Sequence, residues 1–334
     1  MIARQSVWND PDVQKLLEKF VACADEVGYL QNAKNPECEL FRRFSEKGHY
    51  GGRTKPTNTR QGTYAAAPSG EFLASINSND ARGMAEMLRK ALAAWEELPK
   101  ERRLLADAPA PNPEGRVRVE RWYPLDGLAL KSYTRDLPRE KKGTNSERYF
   151  GKAWNQDFLW YRKAESRQWL PEKIEAGAKH DVPAALARRI ARFTFVDNVR
   201  GQTSAYPDRC VEKAEVAVEV TAVEGDVASL TLTGATRAVE KGKWSIAGFK
   251  DMNSPSEQER GVEMKLLGRA KYDVKQEKFV AFEFVAVGTR WGATQYNGRS
   301  EDVEPSPWGV VAAMTGDEPA DRVAPAFAWG YGWR

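Results

Sequence analysis

The clearest pattern in the chain is the alternation of apolar and polar residues between residues 214 and 291. A period of two is typical of a β-strand with one buried face. The alternation predicts four strands, which cover residues 214–222, 227–233, 262–273 and 279–291. Both faces of the last strand are mostly apolar, so we expect it to be central in its sheet or to line a cavity. Antiparallel strands joined by tight turns predict a curled sheet or a small barrel.

The segment before these strands predicts a mixture of strands and covering helices. The predicted elements are strands over 117–123 and 128–133 and helices over 158–169 and 183–195. Residues 241–259 are expected to form a longer insertion between strands. The tail over 305–334 is rich in aromatic residues, so we expect it to pack on the domain rather than to extend into solvent. The fold class predicted for the whole chain is α+β.

In the first 100 residues the apolar spacing is mostly helical. Asn9-Asp10-Pro11 and Asn35-Pro36 each place a capping side chain before a proline, which is a helix start. A third helix is predicted to begin after Asn79 or Asp80 and to carry one apolar stripe. Phe20–Ala24 predicts a short buried strand, and Thr63–Ser75 predicts two paired strands around the Pro68-Ser69-Gly70 turn.

These N-terminal elements resemble the thioredoxin fold. Val7-Trp8-Asn9-Asp10-Pro11-Asp12-Val13, with the apolar residues up to Ala22, is similar to the segment that follows the redox helix of that family. Thr63–Ser75 is similar to the family's paired strands. The resemblance implies a thioredoxin-like domain over residues 1–104. A Pro/Ala-rich linker over 105–116 would then lead to a second, mixed α and antiparallel-β domain over 117–334.

Two departures from the family argue against dithiol redox chemistry. The Cys-x-x-Cys motif that precedes the first helix in the family is absent, and Gln61-Gly62 holds the place of its cis-proline. A redox thiolate needs a helix N-terminus to lower its pKa. Cys23 falls in a predicted strand and Cys38 in the first turns of a helix. We therefore expect the domain to act as a docking module without a redox motif.

Composition and charge limit the classes of function. The 334 residues include 51 Lys and Arg and 47 Asp and Glu, which gives a formal net charge of +4. Nucleic-acid binding is therefore not expected, because such domains usually concentrate basic residues on one face. The alternative would be a basic face formed by Arg188, Arg189, Arg192 and Lys141. Three cysteines are too few for a disulfide framework.

The chain shows no segment that would direct it to a membrane. It has no run of 18 apolar residues, and residues 1–6 lack the apolar region of a signal peptide. We therefore expect a cytoplasmic protein.

Candidate ligand-binding residues lie in the predicted second domain. They are Asp197, Arg200, Phe282, Phe284 and Trp291. The first two form a polar group at the end of an apolar run, for which a capping network is the alternative interpretation. Asp197–Gly201 and Arg290–Gly292 also resemble segments of a bacterial protein family, and that resemblance implies no activity.

The leading hypothesis is a non-catalytic binding or interaction protein without a cofactor. Its β domain would hold an apolar ligand or peptide, and no nucleotide-binding or hydrolase motif is present. The competing hypothesis is a thiol-based redox protein or a soft-metal protein. It would use Cys23, Cys38 and His49, with copper or zinc as the metal. The pattern leaves the oligomeric state and the partner open.

Overall fold

The computed structural model divides the chain into two compact units. The N-terminal unit comprises Ile2–Gly115 and the C-terminal unit comprises Arg116–Arg334. The structure describes residues 7–8, 10–50, 59–78, 80–104, 119–139, 153–246, 255–316 and 318–333. The predicted linker over 105–116 lies outside the described residues.

The described part of the N-terminal unit has three helices before its first strand, and each starts at a capping side chain. They are α1 (Pro11–Leu17), α2 (Val27–Asn32) and α3 (Pro36–Ser45). The Asp10 carboxylate accepts from two backbone N–H groups of α1, and the Asn35 side chain accepts from the Cys38 N–H. Both helix starts predicted from a capping residue before proline are therefore confirmed.

A hairpin and a long helix follow these three helices. The hairpin consists of β1 (Thr63–Ala66) and β2 (Phe72–Ile76), which are antiparallel, and α4 spans Ala81–Glu97. Asp80 caps α4, as predicted, by accepting from the Gly83 N–H at 2.7 Å. The apolar stripe of α4 packs with the hairpin into one core.

The strand predicted over Phe20–Ala24 is wrong. Residues 21–26 have no regular secondary structure, and the Val21 side chain is 91% exposed. Apart from Phe20 and Val21 the run holds only Ala, Cys and Ala, so burying it would remove little apolar surface from water. This segment does not supply the central strand that the thioredoxin resemblance implies, and the resemblance itself stays a prediction.

One large antiparallel sheet dominates the C-terminal unit. Its strands are β3 (Leu128–Asp136), β4 (Trp154–Tyr161), β5 (Lys179–Asp181), β6 (Val211–Glu224), β7 (Val227–Trp244), β8 (Ser256–Asp273), β9 (Lys278–Trp291) and β10 (Ser306–Met314). Their order in the sheet is β4-β3-β10-β9-β8-β7-β6-β5. The mixed α and antiparallel-β class is confirmed. The small barrel is wrong, because the sheet is open and ends at β4 and β5.

The inner face of this sheet carries the main core. We call inner the face that presents Leu230, Leu266, Phe284 and Val310, which belong to one buried cluster, and outer the opposite face. Helix α6 (Ala184–Arg189) runs into a π-helical turn at Ile190–Thr194, and both pack on the inner face. This confirms the helix predicted over 183–195.

The helix predicted over 158–169 is largely a strand. Residues 154–161 form β4, and only Lys163–Arg167 is helical, as α5. Both faces of β4 are buried, because Leu159 and Tyr161 belong to the inner core and Trp160 packs with the tail residue Trp333. A strand that is apolar on both faces does not alternate, so its pattern cannot be distinguished from that of a buried helix.

The strand predicted over 117–123 is also wrong in its described part. Val119–Trp122 forms a 3-10 turn. β3 already has β4 and β10 as neighbours, so it has no edge at which the segment could pair.

Two further predictions concern the insertion and the tail. β7 extends to Trp244 and β8 begins at Ser256, so the insertion is shorter than 241–259, and residues 247–254 lie outside the description. The tail packs as predicted at Trp333, which is 6% exposed, whereas Trp329 is 57% exposed. The Arg189 guanidinium lies 4.4 Å from the Tyr331 ring centroid, which adds a cation–π contact.

Gly288 of β9 occupies a position where the neighbouring strand leaves no space for a side chain. A Cβ there would lie 1.9 Å from the Glu263 carbonyl oxygen of β8. At Gly242 of β7 a Cβ would meet nothing closer than a Trp244 ring carbon at 3.4 Å.

We expect Gly288→Ala to lower the free energy of unfolding by about 1–3 kcal/mol, because backbone must move to admit the methyl group. Urea unfolding followed by tryptophan fluorescence measures the loss. Gly242→Ala is the matched control and should leave the unfolding midpoint nearly unchanged. Equal midpoints for the two variants would contradict the close approach of β8 and β9.

Candidate functional site

A cluster of buried charged side chains lies where the inner face of the sheet ends. We call it the buried charge cluster. Its members are the buried residues Asp197, Arg200, Arg290, Arg299 and Asp302 and, at the edge of the cluster, Asp136, whose side chain is 16% exposed. Asp136 ends β3 and Arg290 is near the end of β9, whereas the other members come from two loops, 195–203 and 292–305. The cluster therefore joins the sheet to the two loops that cover its end.

Arg299 is the centre of the cluster. Its guanidinium donates to both carboxylate oxygens of Asp197, at 2.8 and 2.9 Å, and to both oxygens of Asp136, at 2.8 and 2.6 Å. The side chain is 0% exposed. Two bidentate pairs on one planar group use its fork geometry fully, which is the arrangement that a buried arginine needs.

The remaining guanidinium groups hold Asp302 and Asp136. Arg200 donates to Asp136 Oδ2 at 2.8 Å and lies 3.1 Å from Asp302 Oδ2. Arg290 donates to the carboxylate and to the carbonyl of Asp302, and its Nε lies 3.9 Å from Asp197 Oδ2. At the rim, Arg139 donates to Asp302 Oδ1 at 2.7 Å. Each carboxylate is thus paired with guanidinium groups, which fits a structural role better than acid–base chemistry.

The pairing moves the pKa of the carboxyl groups. Burial alone would raise the pKa of Asp136, but hydrogen bonds and charge from Arg299, with the charges of Arg200 and Arg290, lower it to about 2. The pKa of Asp302 is also lowered: burial opposes this, and Arg139, Arg290 and Arg200 outweigh it. Both groups are therefore carboxylates at neutral pH.

The structure separates the five predicted ligand-binding residues. Asp197 and Arg200 both belong to the buried charge cluster: Asp197 accepts from Arg299, Arg200 donates to Asp136, and Arg299 joins the two by donating to Asp136. Phe282 and Phe284 are 2% and 4% exposed and fill the inner core, with Phe282 edge-on to Trp169. The Trp291 indole donates to the Glu259 carboxylate at 2.9 Å. That these residues bind a ligand stays a prediction.

The residues of the competing thiol or metal hypothesis lie in the N-terminal unit. Cys23 is exposed and Cys38 is buried in α3. His49 Nδ1 lies 2.8 Å from the Ser75 hydroxyl oxygen, and its ring stacks on Tyr64 with centroids 5.0 Å apart. Within the described parts of the chain, no group of three or more His, Cys, Asp or Glu side chains is placed to hold a metal ion.

Four exposed apolar side chains form a continuous row on the outer face. Tyr133 of β3 lies opposite Val311 of β10, Val311 opposite Val285 of β9, and Val285 opposite Leu267 of β8. Their exposed fractions run from 40% for Tyr133 to 60% for Leu267. We call these four residues the outer apolar row. Directly opposed residues on neighbouring strands are in contact, so the row is one contiguous surface.

The outer apolar row lies in a shallow open groove with charged residues beside it. The groove lining includes Thr231, Gly268 and Ala313 in addition to the row. Arg269 and Glu283 form an exposed ion pair on one side, and Arg135 is exposed on the other. An apolar centre with a polar rim is the usual anatomy of a protein interface.

The sequence pattern contained a signal for this surface. Val285 and Val287 of β9 alternate with Phe282, Phe284 and Ala286, so two apolar faces were visible in the sequence. The sequence predicts that the ligand lies on the face of Phe282 and Phe284, which is the face that packs in the inner core. The valine face is the exposed one.

Comparison with known proteins adds no family assignment. No protein-family model, no curated protein and no solved structure matches the chain. A search of the described residues finds no helix with the length and apolar character needed to span a membrane. The function must therefore be argued from the surfaces and side chains themselves.

We expect the C-terminal unit to lose stability as the pH falls from about 4 to 2. The pKa of Asp136 is below its usual value of 3.8, so its contribution is present above that value and is lost as the pH falls toward about 2. The shift corresponds to about 2 kcal/mol, since one pKa unit is worth about 1.4 kcal/mol. Thermal unfolding followed by near-UV circular dichroism at several pH values measures it.

Asp136→Asn should be less stable than the wild type at pH 7 and should lose less stability on acidification. Asp126→Asn, at an exposed turn before β3, is the control and should follow the wild-type pH profile. An Asp136→Asn profile parallel to that of the wild type would contradict the role assigned to this carboxylate.

Proposed function

We propose that this chain is a non-catalytic interaction protein in which the outer face of the C-terminal sheet binds a protein partner. The observation that carries the proposal is the outer apolar row, with four apolar side chains exposed side by side on adjacent strands. Contiguous exposed apolar surface of this kind is typical of interaction sites.

A protein surface suits this face better than a small apolar ligand. Small-molecule pockets usually enclose most of the ligand surface. The groove of the outer apolar row is open and would contact a ligand from one side only. The phenylalanines predicted to hold a ligand, Phe282 and Phe284, are packed against other core side chains.

The remaining features are consistent with a binding role in this proposal. The buried charge cluster pairs its carboxylates with guanidinium groups, so it favours a structural role. The N-terminal unit would provide a second docking surface, as its thioredoxin-like pattern predicts. The thiol or metal alternative is not favoured, because Cys23 is exposed, Cys38 is buried and His49 bonds to Ser75.

The proposal is tested by placing the photo-reactive residue p-benzoylphenylalanine at Val285 and irradiating cells of the native host. We expect a covalent protein adduct at this position, because the side chain points into the proposed interface. The added substitution Leu267→Lys should reduce the adduct by placing a charge in the same row. Lys173, an exposed loop residue outside the sheet, is the control position and should give no comparable adduct.

Absence of an adduct at Val285, or equal adducts at Val285 and Lys173, would contradict the proposed function. Circular dichroism of each purified variant checks that its fold is retained.

A further inference from the structure

The outer face is self-complementary in charge, and from this we infer that its partner is a second copy of this chain. The inference rests on the proposed function, because it names the partner of the same surface. The two copies would pack face to face about a two-fold axis that runs parallel to the strands between β8 and β9. The pairing register of the sheet fixes which residues such an axis would bring together.

The axis places each strand of one copy over a defined strand of the other. β8 lies over β9, β7 over β10, and β6 over β3, in accordance with the sheet order. In the apolar row, Leu267 then faces Val285. Further out, Thr233 faces Val311 and Ala217 faces Tyr133, since these residues continue the same row across β7 and β6.

The ends of the row have complementary shapes. Tyr133 is the largest side chain of the outer apolar row. The position opposite it lies in a shallow depression whose lining includes the small residues Ala217, Gly234 and Ala235, with the carboxylates of Asp181 and Glu215 beside them. A large side chain facing small ones allows two sheet faces to interdigitate, as sheet packing requires.

The charges beside the row are opposite in sign at the positions that the axis superimposes. On one side Arg269 of β8 faces Glu283 of β9. On the other side Glu215 of β6 faces Arg135 of β3. Lys265 of β8 falls over Val287, where its stem can cover apolar surface while the ammonium stays in water.

Other positions of the axis lose this match. An axis along β9 would place Glu283 opposite Glu283 of the second copy. An axis along β8 would place Arg269 opposite Arg269 of the second copy. An axis between β9 and β10 would place Lys265 over Arg135, which is also a like-charge pair. Like charges across an interface are unfavourable, so the pattern selects the axis between β8 and β9.

The surface is large enough for a modest dimer. Six strands and three outward rows cover roughly 29 by 20 Å at the usual spacings of about 4.8 Å between strands and 3.4 Å per residue, less the Lys131 position of β3, which Asp321 of the same chain covers. The two copies together would then bury on the order of 1,100 Å², which is close to the lower limit for a specific interface. We therefore expect a reversible dimer rather than an obligate one.

Glu215 and Arg135 provide a clean test, because they lie on strands that are far apart within one copy. Glu215→Arg would face Arg135 of the second copy, and Arg135→Glu would face Glu215 of the second copy. Each variant alone therefore carries two like-charge contacts per dimer. An equimolar mixture of the two variants restores opposite charges at both contacts.

The experiment is sedimentation velocity of the purified chain over roughly 1–100 µM, the range in which an interface of this size should dissociate. We expect wild-type chain to approach twice the 37.5 kDa mass of one chain. Glu215→Arg and Arg135→Glu should each raise the dissociation constant roughly tenfold or more at low salt. Their mixture should return to nearly wild-type association, and Val285→Asp should remain monomeric.

Three outcomes would overturn the inference: a monomeric wild type at the highest concentration, a Val285→Asp chain that still dimerises, or a mixture that stays monomeric. Circular dichroism shows that each variant is folded. The failure of the inference is separable from that of the proposed function. A monomeric chain with a photo-adduct to a different protein at Val285 leaves the proposed function standing.

Discussion

The C-terminal unit depends on ion pairs that are hidden from water. Transfer of a guanidinium or a carboxylate into a protein interior is costly, and only close pairing with complete hydrogen bonding offsets that cost. Arg299 meets the requirement with two aspartates, and Arg200 and Arg290 hold a third. Removal of Arg299 would leave the buried Asp197 carboxylate with Arg290, whose Nε lies 3.9 Å from it, so the members are interdependent. The loops at this end of the sheet therefore have one well-defined arrangement.

The same sheet uses its two faces for different purposes. On the inner face, aromatic and aliphatic side chains pack with α6 and its π-helical turn into a closed core. On the outer face, the tail covers Phe158 and Trp160, whereas the outer apolar row stays in contact with solvent. Stability accounts for the first face but not for the second, since an exposed valine contributes little to folding. The role in association that we propose would account for the exposed apolar side chains of the second face.

Much of the fold could be predicted from local patterns, and the failures have definite causes. The strands β6 to β9 alternate over many residues, and the caps Asp10, Asn35 and Asp80 act on neighbouring N–H groups. The helix predicted at β4 is wrong because both faces of this strand are buried, so its apolar residues do not alternate with polar ones. The register and the order of the strands depend on pairings between distant residues, which no local window contains.

The candidate site is likewise predictable where it depends on neighbouring residues and unpredictable where it depends on distant ones. The sequence predicts Asp197 and Arg200 as a polar group, but Arg299, which binds Asp197, lies 102 residues from it in the sequence. The outer apolar row draws its members from four strands and exists only once the register is fixed. The sequence of β9 shows that both of its faces are apolar. Which of the two faces is buried depends on where α6 packs.

The sheet order also has a consequence for the synthesis of the chain. β3 is among the first strands of its unit to leave the ribosome, but one of its two neighbours is β10, the last strand. Asp136 likewise waits for Arg299, which follows 163 residues later. Contacts of such long range raise the contact order, and folding rates fall as contact order rises. The unit cannot close until nearly all of it has been made, and in the interval β3 presents an unpaired edge to other chains.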